Sequence, residues 1–105
     1  MNLSKNKKTE DLYQVILKLK NLEEAQRFFR DLLTSVEILE FSKRWQVAQM
    51  LDDKIPYSFI EKKTGLSSTT VARISKWLQN GKGGYKLMLK KINTHHNLIS
   101  SPRRN

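Results

Sequence analysis

The residues best suited to contact another molecule lie close together, between positions 67 and 76. Ser67, Ser68, Thr69 and Thr70 are consecutive, Arg73 and Lys76 follow, and no carboxylate stands among them. At about 100° per residue on a helix, Thr69, Ala72, Arg73 and Lys76 share one stripe. Such a face is small and polar at its start and cationic further on. It can approach an anionic groove closely, place hydroxyls at base edges and send cations to phosphates. Other chemistries find less support. There is no cysteine, which excludes disulfides and thiolate metal sites. His95 and His96 are adjacent, would not share a helical face and have no carboxylate near them, so no metal site is expected. Glu37 and Glu40 are i, i+3 neighbours, and capping and solvation account for them more cheaply than catalysis. No Ser-His-Asp spacing, no helical His-Glu pair and no glycine-rich loop after a strand is present. No catalytic residue and no enzymatic activity is expected.

The stripe needs elements to hold it. The stretch from Pro56 to Gly81 reads as two short helices joined by a tight turn at Thr64-Gly65-Leu66. Gly65 can take the positive φ that ends the first helix without a steric penalty. Ser67 stands where an N-cap belongs, and Asn80-Gly81 stops the second helix. Val71, Ile74 and Leu78 form its apolar stripe, which Ile60 and Leu66 can meet. This is the sequence form of a helix-turn-helix, whose second helix lies in the DNA major groove. Thr69 and Arg73, with Ser67, Ser68 and Thr70, are the expected base-facing residues. Tyr57, Ser58, Lys62, Lys76 and Lys82 are the expected backbone contacts. Glu61, on the first helix, would repel phosphate unless it accepts from cytosine N4 or pairs with Lys62 or Lys63.

The remaining elements are helical too. Residues 1–8 are polar and basic and are expected to be disordered. Thr9 is the expected N-cap of a first helix carrying Leu12, Val15, Ile16 and Leu19, closed by Lys18 and Lys20. Asn21 is the expected cap of a second, with Leu22, Ala25, Phe29 and Leu32 as its stripe. Thr34-Ser35-Val36-Glu37 has the capping-box pattern. Ser35 to about Leu51 is apolar on two sides, either one helix buried on most of its circumference or two shorter helices bent near Phe41-Ser42. A single small domain offers little to cover such a helix, which suggests packing against a second copy of the chain. Pro56 suits a helix start. After a glycine-rich turn, Tyr85 to Ile92 supports one last short helix. Residues 93–105 are expected to be a flexible tail.

The chain of 105 residues is long enough for one domain. Its net charge of +10 is unevenly placed: residues 54–105 hold eleven Lys or Arg against the single acid Glu61. Residues 9–53 are net acidic. A basic half that begins at the two-helix motif is the electrostatic footprint of a nucleic-acid binder. The basic half has no long amphipathic helix with a large apolar face, so a membrane surface is not the expected partner. No apolar run approaches a transmembrane span and no signal-peptide core is present, so a soluble, cytoplasmic protein is expected.

Four blocks in order resemble the Trp repressor superfamily, its YerC/YecD-type branch in particular. They are Ser42 to Ala48, Ile60 to Ser67, Thr70 to Ile74, and Asn80 to Tyr85 with its closing Gly-Gly-Tyr. The resemblance spans roughly residues 10–92. It implies an all-α fold of about six helices that forms an intertwined homodimer, with a helix-turn-helix at 56–80 inside a domain at 9–92. In tryptophan-binding members two arginines sandwich the ligand's indole. The resemblance matches one to Arg73 and the other to Lys43, beside Arg44, and Lys43 lacks the flat guanidinium that stacks on a ring. Leu33 stands where that pocket has a threonine. Lys43, Arg44 and Arg73 are therefore the candidate effector-binding residues, with an amino-acid-like effector of unspecified identity. The expectation is a dimeric, sequence-specific regulator binding double-stranded DNA, a repressor by steric exclusion. Two alternatives use the same basic half: a non-specific architectural nucleic-acid binder, and a helical protein-interaction module.

Overall fold

The structure, a computed structural model, describes residues 6–99. These form six helices: α1 (Lys7–Ile16), α2 (Leu22–Leu32), α3 (Ser35–Asp52), α4 (Tyr57–Thr64), α5 (Ser68–Asn80) and α6 (Gly84–Ile99), with no strand among the described residues. The chain divides into two compact units, residues 1–38 and 39–105.

In the first unit, α1 begins two residues before the expected cap at Thr9. The Asn6 side chain accepts from the N–H groups of Lys8 at 2.9 Å and Thr9 at 3.3 Å, and so occupies the cap. Thr9 instead sits in the first turn, its hydroxyl donating to the Asn6 carbonyl at 2.9 Å. Residues 6–8 are thus cap and helix, whereas residues 1–5 lie outside the described residues. α1 ends at Ile16, so Lys18 and Lys20 fall beyond it and do not occupy its last turn. α2 starts as its sequence predicts: Asn21 accepts from the Glu24 N–H at 2.9 Å, and Glu24 accepts from the Lys20 N–H at 3.0 Å. Thr34 and Glu37 form a reciprocal capping box at the start of α3, with distances of 2.9 and 3.1 Å. Neither α1 nor α2 buries a single residue.

α3 is one unbroken helix of 18 residues, which excludes the bend near Phe41-Ser42. In the second unit its Val47 and Ala48 join Ile60, Val71 and Ile74 in a core that is almost completely dry. Burying each of these Val and Ile side chains stabilises the unit by about 1.5–3 kcal/mol. Trp45, Met50, Leu51, Ile55, Leu66 and Tyr85 pack around them. α4 packs on α5, and α5 on α6. α6 runs on to Ile99, past the expected end at Ile92. No proline or glycine follows Gly84 until Pro102, and extending an existing helix is cheap per residue. The side chains of His95 and His96, and residues 100–105, lie outside the described residues.

Candidate nucleic-acid interface

Pro56, with φ −62° and ψ 145°, stands at the N-cap of α4, where its missing N–H removes no helical hydrogen bond. α4 ends at Gly65, whose φ of 76° is left-handed, and the Gly65 N–H reaches the Glu61 carbonyl at 2.8 Å. Sequence reasoning missed the residue that clamps this turn. The buried Thr64 hydroxyl donates to the Ile60 carbonyl at 2.8 Å and accepts from the Leu66 N–H at 3.2 Å. A β-hydroxyl one residue before a helix-ending glycine was the available signal. Leu66 then tucks against the core, and Ser67 caps α5 by accepting from the Thr70 N–H at 3.1 Å.

This geometry holds the two faces of α5 apart. Val71, Ile74 and Ser75 are buried and Leu78 is half-buried, whereas Ser68, Thr69, Ala72, Arg73 and Lys76 are exposed. Ser75 had not been assigned to the inner face; Gln79 satisfies it by donating to its hydroxyl at 3.1 Å. The hydroxyls singled out in sequence separate into two pairs. Ser67 also donates to the Thr70 hydroxyl at 3.0 Å, so these two are engaged with each other inside the cap. Ser68 and Thr69 have no such role, and point the polar start of the helix outward. Tyr57, Ser58 and Lys62 are exposed on α4, and Lys82 is exposed in the turn after α5. Phe59, on α4 between Ser58 and Lys62, is also exposed. Glu61 is half-buried.

The candidate effector residues take different places. Lys43, Arg44 and Arg73 are all exposed. The Arg44 guanidinium carbon lies 5.7 Å from the centre of the Phe41 ring. Burial raises the Tyr85 phenol above its ordinary pKa, and the nearby Arg44 charge works against that rise. Two open grooves mark this unit. One, of about 830 Å³, runs between α3, α5 and α6 and is lined chiefly by Trp45, Trp77, Tyr85 and Met88. The other, of about 540 Å³, lies by the α3–α4 turn. Lys43, Arg44 and Arg73 line neither. Among the described residues no group of three His, Asp or Glu could hold a metal ion, and no helix is long and apolar enough to cross a membrane.

Comparison with known proteins gives consistent matches. A sequence model of the family described as Trp repressor protein matches residues 7–93. The uncharacterized protein YerC of Bacillus subtilis (strain 168) is 39% identical over 88 residues, which are 84% of this chain and 85% of that protein. A solved TrpR-like protein from Eubacterium eligens superposes with a TM-score of 0.80 at 41% identity, covering 84% of this chain and 91% of the other. A solved candidate Trp repressor from Staphylococcus aureus superposes at 0.81 with 37% identity, covering 89% and 95%.

Proposed function

The chain belongs to the Trp repressor family of helix-turn-helix DNA-binding regulators, and from that premise we propose that it acts as a homodimeric, sequence-specific repressor. The observation that carries this reading is the division of α5. An exposed, carboxylate-free stripe of Thr69, Ala72, Arg73 and Lys76 lies opposite a dry stripe that fixes the helix on its core. Ser68, Thr69 and Arg73 are the base-facing candidates. Tyr57, Ser58, Lys62, Lys76 and Lys82 hold the backbone, and Ser67 and Thr70 act mainly by capping the reading helix. Two such helices, related by a dimer two-fold, enter successive major grooves about 34 Å apart and exclude other proteins from the site.

The dimer is supported by surface that a lone chain leaves wet. Leu17 is 77% exposed, Leu22 73%, Val36 74% and Leu39 61%. Exposed apolar residues just past the end of α1, at the start of α2 and on α3 are the kind of surface that association covers. The test is selection from a random duplex pool at about physiological salt. The expected product is a palindromic consensus with a fixed half-site spacing. Binding without a consensus indicates the architectural reading. No binding to any duplex indicates the protein-interaction module.

A further inference from the structure

We propose that Asn80 is a self-modification site: its side-chain amide is lost after attack by the Gly81 backbone nitrogen, and the carboxylate that replaces it weakens DNA binding. Asn80-Gly81 is the single Asn-Gly pair of the sequence. Glycine has no side chain to shield the attacking nitrogen, so this dipeptide closes a five-membered ring more readily than asparagine before a bulkier residue. Asn6 and Asn21 precede Lys7 and Leu22, and both are held by the cap hydrogen bonds they accept. Asn80 and Gly81 are both exposed, and among the described residues no partner holds the Asn80 side chain.

The chemistry needs only water. The Gly81 nitrogen loses its proton to solvent and bonds to Asn80 Cγ. The Cγ–Nδ2 bond breaks, and the amino group takes up one proton and leaves as ammonia. One water then opens the succinimide. Attack at Cγ leaves aspartate, and attack at the backbone carbonyl carbon leaves isoaspartate.

The fold both gates this step and keeps its site in place. Asn80 is the last residue of α5, and the Gly81 N–H donates to the Trp77 carbonyl at 2.8 Å. The helical backbone of Asn80 and that hydrogen bond must both release before the nitrogen can attack. The last turn of a helix opens at small free-energy cost, and Gly83 and Gly84 follow close behind. Replacing Gly81 is not an open route, because a Cβ there would stand 2.4 Å from the Trp77 carbonyl oxygen. The glycine that the turn requires is the one that makes Asn80 labile.

The new carboxylate falls among cations. Lys76, Asn80 and Lys82 border the same open groove. Lys76 lies four residues before Asn80 on α5, a spacing at which two side chains meet. Lys76 and Lys82 are two of the groups assigned to the DNA backbone. A carboxylate at position 80 pairs with them and repels phosphate, and its charge opposes the dipole at the C-terminal end of α5. This consequence rests on the DNA-binding reading; the modification itself does not.

The experiment ages the full chain at physiological temperature and mildly alkaline pH, beside a sample unfolded in urea. Peptide mass spectrometry reads each asparagine, with isoaspartate separated from aspartate by chromatography. In the folded chain Asn80 should convert ahead of Asn6 and Asn21, and more slowly than in urea. Asn80→Gln should resist, since its longer side chain must close a six-membered ring. A folded chain in which Asn80 keeps its amide, or converts no faster than Asn6 and Asn21, overturns the site. Conversion of Asn80→Gln at the parent rate overturns the ring mechanism. Asn80→Asp, made directly, should weaken duplex binding about threefold, the scale of one exposed ion pair, and reduce the slope of log affinity against log salt by about 1. Duplex binding unchanged in Asn80→Asp overturns the consequence. A fresh chain that holds no duplex, yet converts at Asn80 on ageing, leaves the modification standing and removes the regulator reading.

Discussion

Thr69 and Lys76 lie on one exposed stripe of α5 and should respond differently to truncation. Lys76 is the proposed phosphate contact, so Lys76→Ala should lower affinity on every sequence and reduce the slope of log affinity against log salt by about 1. A slope unchanged across a salt series takes Lys76 off the contact surface. Thr69→Ala removes a hydroxyl proposed to face the groove. The ratio of specific to non-specific affinity should shrink by about 1 kcal/mol at one base position, the low end for a base contact. Equal losses on selected and scrambled duplexes would dismiss Thr69 as a reader. Two glycines offer a stability contrast. An added Cβ at Gly65 meets nothing within 4 Å, so Gly65→Ala bears only the left-handed φ, about 1 kcal/mol. At Gly81 the same atom would stand 2.4 Å from the Trp77 carbonyl oxygen, which belongs to the backbone of α5 and cannot swing aside. Gly81→Ala should cost about 2–3 kcal/mol, the upper range for forced overpacking, and thermal unfolding of the two variants should rank them accordingly.

Helix ends were among the most legible features, because capping is local chemistry. The Asn21, Thr34–Glu37 and Ser67 caps and the positive φ of Gly65 all follow from residue types within four positions. Asn6 escaped notice because Thr9 offered an equally good cap three residues later, and side-chain chemistry alone does not rank two such starts. The end of α6 escaped for the opposite reason: polar residues after Ile92 look like a tail unless the lack of a breaker is weighed. The α3 box provides a measurable case. Thr34→Ala should cost about 1 kcal/mol. Glu37→Ala made in the Thr34→Ala background should cost less than in the parent, since the two side chains complete one motif. Strict additivity in denaturant melts would mean that each acts alone.

For the molecule as a whole, the inner and outer faces of α5 could be read from spacing, and so could the continuous apolar character of α3. What spacing could not supply was partnership across the fold. Trp45 and Tyr85 are forty positions apart and their rings stack, with centroids 6.3 Å apart. Trp77 reads as an unremarkable member of a helix until α6 turns back beside it. The exposed apolar residues of α3 give a prediction at this scale. Leu39 is 61% exposed, so Leu39→Lys should change the stability of an isolated chain by no more than about 0.5 kcal/mol, as surface substitutions do. In a dimer that buries Leu39 the same change should shift sedimentation from two chains to one. It should also abolish any rise of the melting temperature with protein concentration. A variant that sediments like its parent would exclude Leu39 from the interface.

The division of labour on α5 also bears on divergence. Ser67 and Thr70 serve the cap, and Val71, Ile74 and Ser75 serve the core. Ser68, Thr69, Ala72 and Arg73 carry none of that structural duty. Substitutions at those four positions can accumulate, one at a time, without passing through an unfolded intermediate. On the proposed DNA-binding reading, α5 thus lets target preference evolve at nearly constant stability, so that duplicated copies of this chain part company on DNA while the rest of the fold stays the same.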